Sequence, residues 1–348
     1  MAAMLQSRVL FSSMAGALFL VAAGCGDSSA ETTSAGGSGG SGAGTSAGGA
    51  GGAGGAGGSG GGAGGAGGGV AGAGGGTTTT PTEVKIGGDR PVKMYIPDGY
   101  DGSKAAPLVV LLHGYGASGA IQETYFGLKS VANERGFIYA VADGTKDSMD
   151  NQFWNATDAC CGFGQSSVDD SAYLSGVVGE IKAAYNVDAK RVYFVGHSNG
   201  GFMSYRMACD HAGDIAAIVS LAGATFADDS KCEPSEPVAV AQIHGTLDET
   251  IAYDGGMIGG VLEYPSAQTT VETWAAHDGC ALTSTDGGKL NLEGQLAGDE
   301  TVVSVYSEGC AAGGHVELWT IEGGKHIPSL AADFKQKVFD FLEAHPKP

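Results

Sequence analysis

In the segment RVYFVGHSNGGFMSYRMAC, residues 191–209, Ser198 lies between an apolar run and a stretch with apolar residues at helical spacing. The β-branched and aromatic residues before Ser198 favour a strand, and the spacing after it favours a helix. A G-x-S-x-G serine between a strand and a helix is typical of a nucleophile elbow, a sharp turn that exposes the hydroxyl. The pattern alone is not specific, because Ser38 and Ser59 have the same glycine spacing in a glycine-rich tract. The flanking segments therefore make Ser198 the candidate nucleophile.

Apolar runs alternate with amphipathic segments through residues 83–348. Short apolar runs separated by helices indicate a mainly parallel central sheet with helices on both faces. The predicted strands lie within 107–114, 137–143, 191–198, 216–223, 237–245 and 316–324, after a hairpin of 84–88 and 92–97. The predicted helices are 121–135, 168–185, the segment after Ser198, 267–277 and a C-terminal helix from Ser329. An active site is expected at the carboxyl ends of the strands.

A serine nucleophile needs a base within hydrogen-bond reach, and the base needs an acid that orients it. Among the eight histidines, His326 fits the base because it follows the last predicted strand in the loop EGGKHIP. Asp248 follows the strand within 237–245 and is the candidate acid, with Asp254 as the second candidate. The chain order Ser198, Asp248, His326 is that of α/β-hydrolases. The sequence thus predicts an α/β-hydrolase fold with a Ser-His-Asp triad.

Cleavage of an ester also requires two N–H donors for the oxyanion that forms at the carbonyl. The expected donors are the backbone N–H of Asn199, directly after the serine, and that of Tyr115 in LLHGYGASG, with Gly116 as the near alternative. Phe153 and Trp154 precede the helix predicted from residue 168. They either form an aromatic binding platform or pack beneath their own loop.

The N-terminal segment has the composition of a secretory signal. Arg8 precedes an apolar stretch from Val9 to Ala23, which is short for a membrane span. The ending VAAGC resembles a bacterial lipobox, which predicts cleavage before Cys25 and lipidation of its thiol. The position three before the cysteine is Ala22 instead of the usual leucine. The alternative is an ordinary signal peptide with an unrelated cysteine.

The amino-acid composition divides the chain into three regions. Residues 1–24 are the predicted signal peptide, and residues 25–82 are a linker of mostly Gly, Ala, Ser and Thr that has no side chains large enough for a core. Residues 83–348 form the predicted catalytic domain. The protein is therefore expected outside the cell or at the cell surface, with a membrane contact only through the lipid on Cys25.

Seven cysteines leave an even number once Cys25 is assigned to lipid, which predicts disulfides in an exported chain. The predicted pairs are Cys280 with Cys310, around a polar excursion, and Cys209 with Cys232, away from the serine. Cys160 and Cys161 are left as a vicinal disulfide, as free thiols, or in exchange with the second pair. Their spacing shows no metal motif, and neither a metal nor an organic cofactor is expected.

The chain has 18 basic and 38 acidic residues, a net charge of −20. Such an excess of acid argues against nucleic acid and anionic lipid as partners. The expected partner is an ester substrate, linked to a polysaccharide or part of a polyester, and the protein is expected to be a monomer.

Six segments of the chain resemble the polyhydroxybutyrate depolymerase and feruloyl esterase group of secreted α/β-hydrolases. They are LLHGYGASG, FWNATDACC, VDDSAYLSGVVGEI, RVYFVGHSNGGFMSYRMAC, HGTLDETI and GGKH, spread over nearly all of residues 90–345. The resemblance implies that Ser198 is the nucleophile, Asp248 the acid and His326 the base. The family usually has an aromatic residue shortly after the histidine, where this chain has Ile327.

The expected function is therefore that of a secreted serine carboxylic-ester hydrolase that forms an acyl-enzyme. Its substrates would be plant polysaccharide esters or polyesters. One alternative is a catalytically weak lipoprotein that keeps the fold to bind a surface. Another is a serine peptidase of the prolyl-oligopeptidase type, which shares the fold and triad order but normally has an additional gating domain.

Overall fold

The computed structural model describes residues 85–163 and 166–348. The strands are β1 (Lys93–Tyr95), β2 (Ala106–Leu112), β3 (Ile138–Val141), β4 (Thr145–Lys146), β5 (Gln152–Phe153), β6 (Val187–His197), β7 (Ala217–Leu221), β8 (Ala239–Gly245), β9 (Gly256–Ile258), β10 (Leu262–Tyr264), β11 (Thr285–Leu290), β12 (Thr301–Tyr306) and β13 (Val316–Ile321). The α-helices are α1 (Gly119–Phe126), α2 (Leu128–Arg135), α3 (Asp170–Ala184), α4 (Asn199–Asp210), α5 (Ala267–His277) and α6 (Phe334–Ala344).

Nine strands form one sheet in the order β1-β3-β2-β6-β7-β8-β13-β12-β11. The neighbouring pairs from β3 through β13 are parallel. Antiparallel pairs lie at the two edges, β1 with β3 on one side and β13, β12 and β11 on the other. The predicted mainly parallel sheet is confirmed.

Both faces of the sheet are buried, which explains why its central strands are apolar at successive positions. Alternate side chains of β2 point to opposite faces. Leu108, Val110 and Leu112 pack with residues of α3, α4 and α5. Val109 and Leu111 pack with residues of α2 and α6 on the other face. The predicted helical layers on both faces are confirmed.

Three local predictions were wrong. Residues 85–88 form no strand against 92–97: the Val92 N–H donates to the Ile86 carbonyl at 2.9 Å, but the strand partner of β1 is β3. The helix predicted over 121–135 is two helices, since Gly127 adopts a left-handed φ of 65° and ends α1. The C-terminal helix begins at Phe334 and not near Ser329, whose N–H is bound by the Glu293 carboxylate at 2.6 Å.

The polar excursion between Cys280 and Cys310 contains two strands that were not predicted, β11 and β12. They extend the sheet beyond β13. β11 reads TDGGKL and is exposed over most of its length, so it has neither the apolar run nor the alternation that marks a buried strand.

The structure contains three disulfides. It joins Cys280 to Cys310 and Cys209 to Cys232, the two pairs expected from the sequence. Cys160 and Cys161 form a vicinal disulfide, one of the alternatives left open for them. All three disulfides lie in the described part of the chain, whereas the predicted signal peptide, Cys25 and the linker lie outside it. No helix among the described residues is long and apolar enough to cross a membrane.

Candidate active site

Ser198 occupies a sharp turn between β6 and α4. Its backbone has φ 53° and ψ −120°, a combination that non-glycine residues rarely adopt. Two glycines permit this turn: a Cβ atom on Gly196 would overlap the carbonyl of Gly200, and one on Gly200 would overlap the carbonyl of Leu112. Strained backbone of this kind is characteristic of functional sites. The turn is the strand-to-helix elbow that the sequence predicts.

We expect Gly196→Ala to lower the free energy of unfolding by about 2 to 3 kcal/mol, because the added methyl forces the elbow backbone apart. Gly176→Ala is the matched control. Gly176 lies in α3 with open space around its Cα, so alanine should raise the free energy of unfolding by roughly 0.5 to 1 kcal/mol. Urea unfolding of both variants measures the difference. A Gly196→Ala variant as stable as the wild type would contradict the packing of the elbow.

The loops after β8 and β13 bring an acid and a base to the serine. His326 Nε2 lies 3.0 Å from Ser198 Oγ, and His326 Nδ1 lies 2.8 Å from Asp248 Oδ2. Ser198, Asp248 and His326 follow the carboxyl ends of β6, β8 and β13. In the sheet β8 and β13 are neighbours, and β7 lies between β6 and β8. Asp254, the second candidate acid, is exposed. The structure therefore brings Ser198, His326 and Asp248 into one hydrogen-bonded chain.

The Asp248 carboxyl is fully buried and well satisfied. Its Oδ1 accepts the backbone N–H groups of Thr250 and Ile251, both at 2.8 Å. Burial alone would raise the pKa of Asp248, but hydrogen bonds from His244 and His326 outweigh it and hold this pKa below its usual range. An ionised Asp248 accepts the Nδ1–H of His326. The lone pair of His326 Nε2 then faces the serine hydroxyl, as a general base requires.

His197 directly precedes Ser198 in the chain, and its side chain supports His326. Its Nε2–H donates to the backbone carbonyl of His326 at 2.9 Å. Burial and the neighbouring His326 lower the pKa of His197 to about 3, so the ring is neutral at physiological pH. Tyr125 adds a second contact, its hydroxyl donating to the Pro328 carbonyl at 2.8 Å. The sequence holds no signal for these long-range contacts.

A second histidine contacts the acid from another direction. His244 Nε2 lies 3.4 Å from Asp248 Oδ2 and 2.8 Å from the Ile251 carbonyl. The Gln242 amide lies 3.1 Å from His244 Nδ1. Since an amide N–H donates to Nδ1, the proton of His244 is on Nε2. The contact between His244 and Asp248 means that His244 supports this carboxylate directly.

The loop after β2 lies against Ser198. A Cβ atom on Gly114 would lie 3.5 Å from Ser198 Cβ. The N–H of Gly116, the alternative oxyanion donor, is occupied by the Gln152 carbonyl at 2.8 Å. Within the described residues the N–H groups of Tyr115 and Asn199 make no hydrogen bond, so both are available to a substrate. His113 serves the turn, since its Nε2 accepts the Gly144 N–H at 2.9 Å.

Phe153 and Trp154 do not form a binding platform, which corrects one of the two interpretations of this pair. Their exposed fractions are 4% and 0%. The Trp154 indole donates to the His113 carbonyl at 3.1 Å, and the Asn199 amide binds the Trp154 backbone N–H and carbonyl at 2.7 and 2.8 Å. Both rings pack beneath the loop and thereby hold it against the elbow.

Sequence comparison relates this chain to known esterases. The family model described as phospholipase/carboxylesterase matches residues 100–258. Feruloyl esterase B of Piromyces equi is 32% identical over 68% of this chain and 42% of its own length. Feruloyl esterase D of Neurospora crassa is 25% identical over 70% of this chain and 76% of its own length. The chain is an α/β-hydrolase that is similar in sequence to feruloyl esterases.

Comparison of folds agrees with this assignment. The acetyl xylan esterase from Aspergillus awamori superposes on 74% of this α/β-hydrolase chain and 96% of its own, with a TM-score of 0.51 and 14% sequence identity. At that identity the likeness concerns the fold alone. The chain spans about half or less of the length of the first curated relatives it matches.

Proposed function

We propose that the protein is a serine carboxylic-ester hydrolase in which Ser198, His326 and Asp248 form the catalytic triad. The observation that carries the proposal is the chain of hydrogen bonds from Ser198 Oγ to His326 and from His326 to the buried Asp248. A hydroxyl is a weak nucleophile until a positioned base accepts its proton. In this chain the base is aligned by an ionised carboxylate, which also stabilises the imidazolium that forms.

In the acylation step Ser198 Oγ attacks the ester carbonyl carbon while its proton passes to His326 Nε2. The carbonyl oxygen becomes an oxyanion and accepts the backbone N–H groups of Asn199 and Tyr115. Collapse of this intermediate breaks the ester C–O bond, and His326 gives its proton to the departing alcohol oxygen. The acyl group remains on Ser198.

Deacylation repeats the sequence with water. His326 takes a proton from water as the water oxygen attacks the acyl carbon, and the same two N–H groups hold the second oxyanion. His326 then returns the proton to Ser198 Oγ, and the acid is released. The proposed substrates are feruloyl and related esters of plant polysaccharide, which agrees with relatives named feruloyl esterase and acetylxylan esterase. Polyhydroxybutyrate-type polyesters are the second proposed class.

A panel of esters tests this function on the full chain. We expect hydrolysis of methyl ferulate and of short p-nitrophenyl esters. Acetylated xylan and hydroxybutyrate oligomers then distinguish a polysaccharide esterase from a polyester hydrolase. A Ser198→Ala protein is the control for uncatalysed hydrolysis. A correctly folded wild type that hydrolyses none of these esters above that control would overturn the proposal and favour a binding lipoprotein.

The domain arrangement and location complete the proposal. Residues 1–24 direct export, Cys25 carries the lipid, and residues 25–82 link it to the catalytic domain. Disulfides in the domain are consistent with an oxidising compartment.

We expect Cys25→Ser to move the protein from the membrane fraction to the soluble fraction, because the lipidated thiol is the only proposed membrane contact. Its kcat on a soluble ester should remain within about twofold of the wild-type value, since Cys25 is not among the residues proposed for catalysis. Fractionation followed by immunoblotting and assay measures both. Membrane partitioning that survives the substitution would contradict the lipid anchor.

A further inference from the structure

Two exposed aromatic side chains contact each other beside the elbow. Tyr115 is 36% exposed and Phe163 is 38% exposed, and the other aromatic rings of the described residues are less exposed. Their ring centroids lie 5.9 Å apart with an interplanar angle of 65°. This edge-to-face arrangement, which we call the Tyr115–Phe163 pair, leaves apolar ring surface open to solvent.

The pair lies on the side of the active site formed by residues 147–163. Tyr115 directly follows Gly114, on which a Cβ atom would lie 3.5 Å from Ser198 Cβ. Phe163 comes two residues after the Cys160–Cys161 disulfide. The Asn199 amide, adjacent to the nucleophile, binds the loop that contains this disulfide. Both rings are therefore carried by loops fixed against the elbow.

The position of the Tyr115 ring is set by its hydroxyl. The hydroxyl donates to Asp147 and accepts from the Asn151 amide at 3.3 Å. Partial burial and the Asp147 carboxylate raise the pKa of Tyr115 to about 12, so the phenol stays protonated and neutral. With its hydroxyl bound to these two residues, the ring is held in place while remaining 36% exposed.

The backbone of Phe163 is strained. Its φ is 48°, in the left-handed region that bulky residues avoid. Burial of the ring does not compensate for this conformation, because the side chain is exposed. Left-handed backbone at an exposed, bulky residue is a form of strain that clusters at functional sites.

We infer that the Tyr115–Phe163 pair binds the planar aromatic ring of a hydroxycinnamoyl acyl group and so determines the preference for such esters over acetyl esters. The inference rests on the proposed function. A flat ring can stack on one member of the pair and meet the other edge-on, which adds attraction beyond the buried area. An acetyl group has no ring to place there. Binding that persists in the transition state raises kcat/KM.

The test compares methyl ferulate with methyl acetate, which share the leaving alcohol and differ in the acyl group. Phe163→Gly removes the ring and tolerates the left-handed backbone. We expect the ratio of kcat/KM for methyl ferulate to that for methyl acetate to fall about tenfold. Leu282→Ala is the control, because Leu282 is 56% exposed near Cys280, at the other end of the sheet. It should leave both rates unchanged.

Two further variants keep the test decisive. Phe163→Tyr retains the ring and should keep the wild-type ratio. Phe163→Leu keeps apolar bulk without a ring and should lower the ratio about threefold, and it replaces Phe163→Gly if circular dichroism shows that Gly unfolds the loop. An unchanged ratio in the folded ring-deletion variants would overturn the inference while leaving ester hydrolysis intact. Wild-type protein inactive on both methyl esters would overturn the proposed function as well.

Discussion

Ser198→Ala is expected to lower kcat for ester hydrolysis by about 10⁴-fold or more, with little change in stability. Alanine retains the backbone hydrogen bond from residue 198 to the Leu221 carbonyl, 2.8 Å in the structure, and removes only the hydroxyl. The side chain fills little core volume, so no large cavity forms. Initial rates on a short p-nitrophenyl ester, together with urea unfolding, measure the two effects separately.

His326→Ala should reduce kcat to a similar extent, because an unassisted hydroxyl does not attack at a useful rate. Residues that act as a unit are strongly non-additive. The kcat of the double variant Ser198→Ala/His326→Ala should therefore lie within about threefold of the kcat of the slower single variant. His277→Ala is a suitable histidine control, since His277 lies at the end of α5. Activity within tenfold of wild type in either single variant would contradict the triad.

The second large effect is expected at the acid. Asp248→Asn should lower kcat by about 10³-fold, because an amide cannot stabilise the imidazolium and its N–H favours the wrong tautomer of His326. Asp254→Asn is the matched control, with the same change of charge on an exposed neighbouring loop. It should remain within about twofold of wild type. An equal loss of kcat in the two variants would show that activity depends on the negative charge and not on the hydrogen bond to His326.

The depressed pKa of Asp248 also predicts a pH dependence of stability. A carboxyl with a lowered pKa in the folded state stabilises the protein above its unfolded pKa of about 3.9. This stabilisation is lost as pH falls through the lower, folded pKa. The difference in free energy of unfolding between wild type and Asp248→Asn should therefore decrease below about pH 4. A difference that is constant through this range would contradict the ionised, hydrogen-bonded carboxylate.

Local sequence patterns predicted much of the fold because the central strands are buried on both faces. The run from Val192 to Val195 and the glycines around Ser198 are short-range signals, and the structure places a strand and an elbow there. The edge strand β11 has no such signal, since it is exposed and contains two consecutive glycines. Its pairing with β12 depends on tertiary context.

The site was predicted less evenly than the fold. Asp248 and His326 could be selected because each follows a strand whose end can be predicted from the local sequence, and active sites lie at such ends. The contact between His197 and the His326 carbonyl joins residues far apart in the chain, and no periodic pattern encodes it. Loop sequences also do not report which aromatic faces solvent. Trp154 was a candidate for an aromatic binding platform and is buried, whereas Phe163, from the same loop, is exposed.

Labelling with a fluorophosphonate tests the central claim most directly, because this reagent reacts with a serine that has an adjacent base. The account predicts one label per wild-type chain, mapped by mass spectrometry to the peptide that contains Ser198. Ser38 and Ser59 share the glycine spacing and should stay unlabelled. Ser198→Ala and His326→Ala should both lose the label. A label on another serine, or one that persists in Ser198→Ala, would contradict the assignment of Ser198 as the nucleophile.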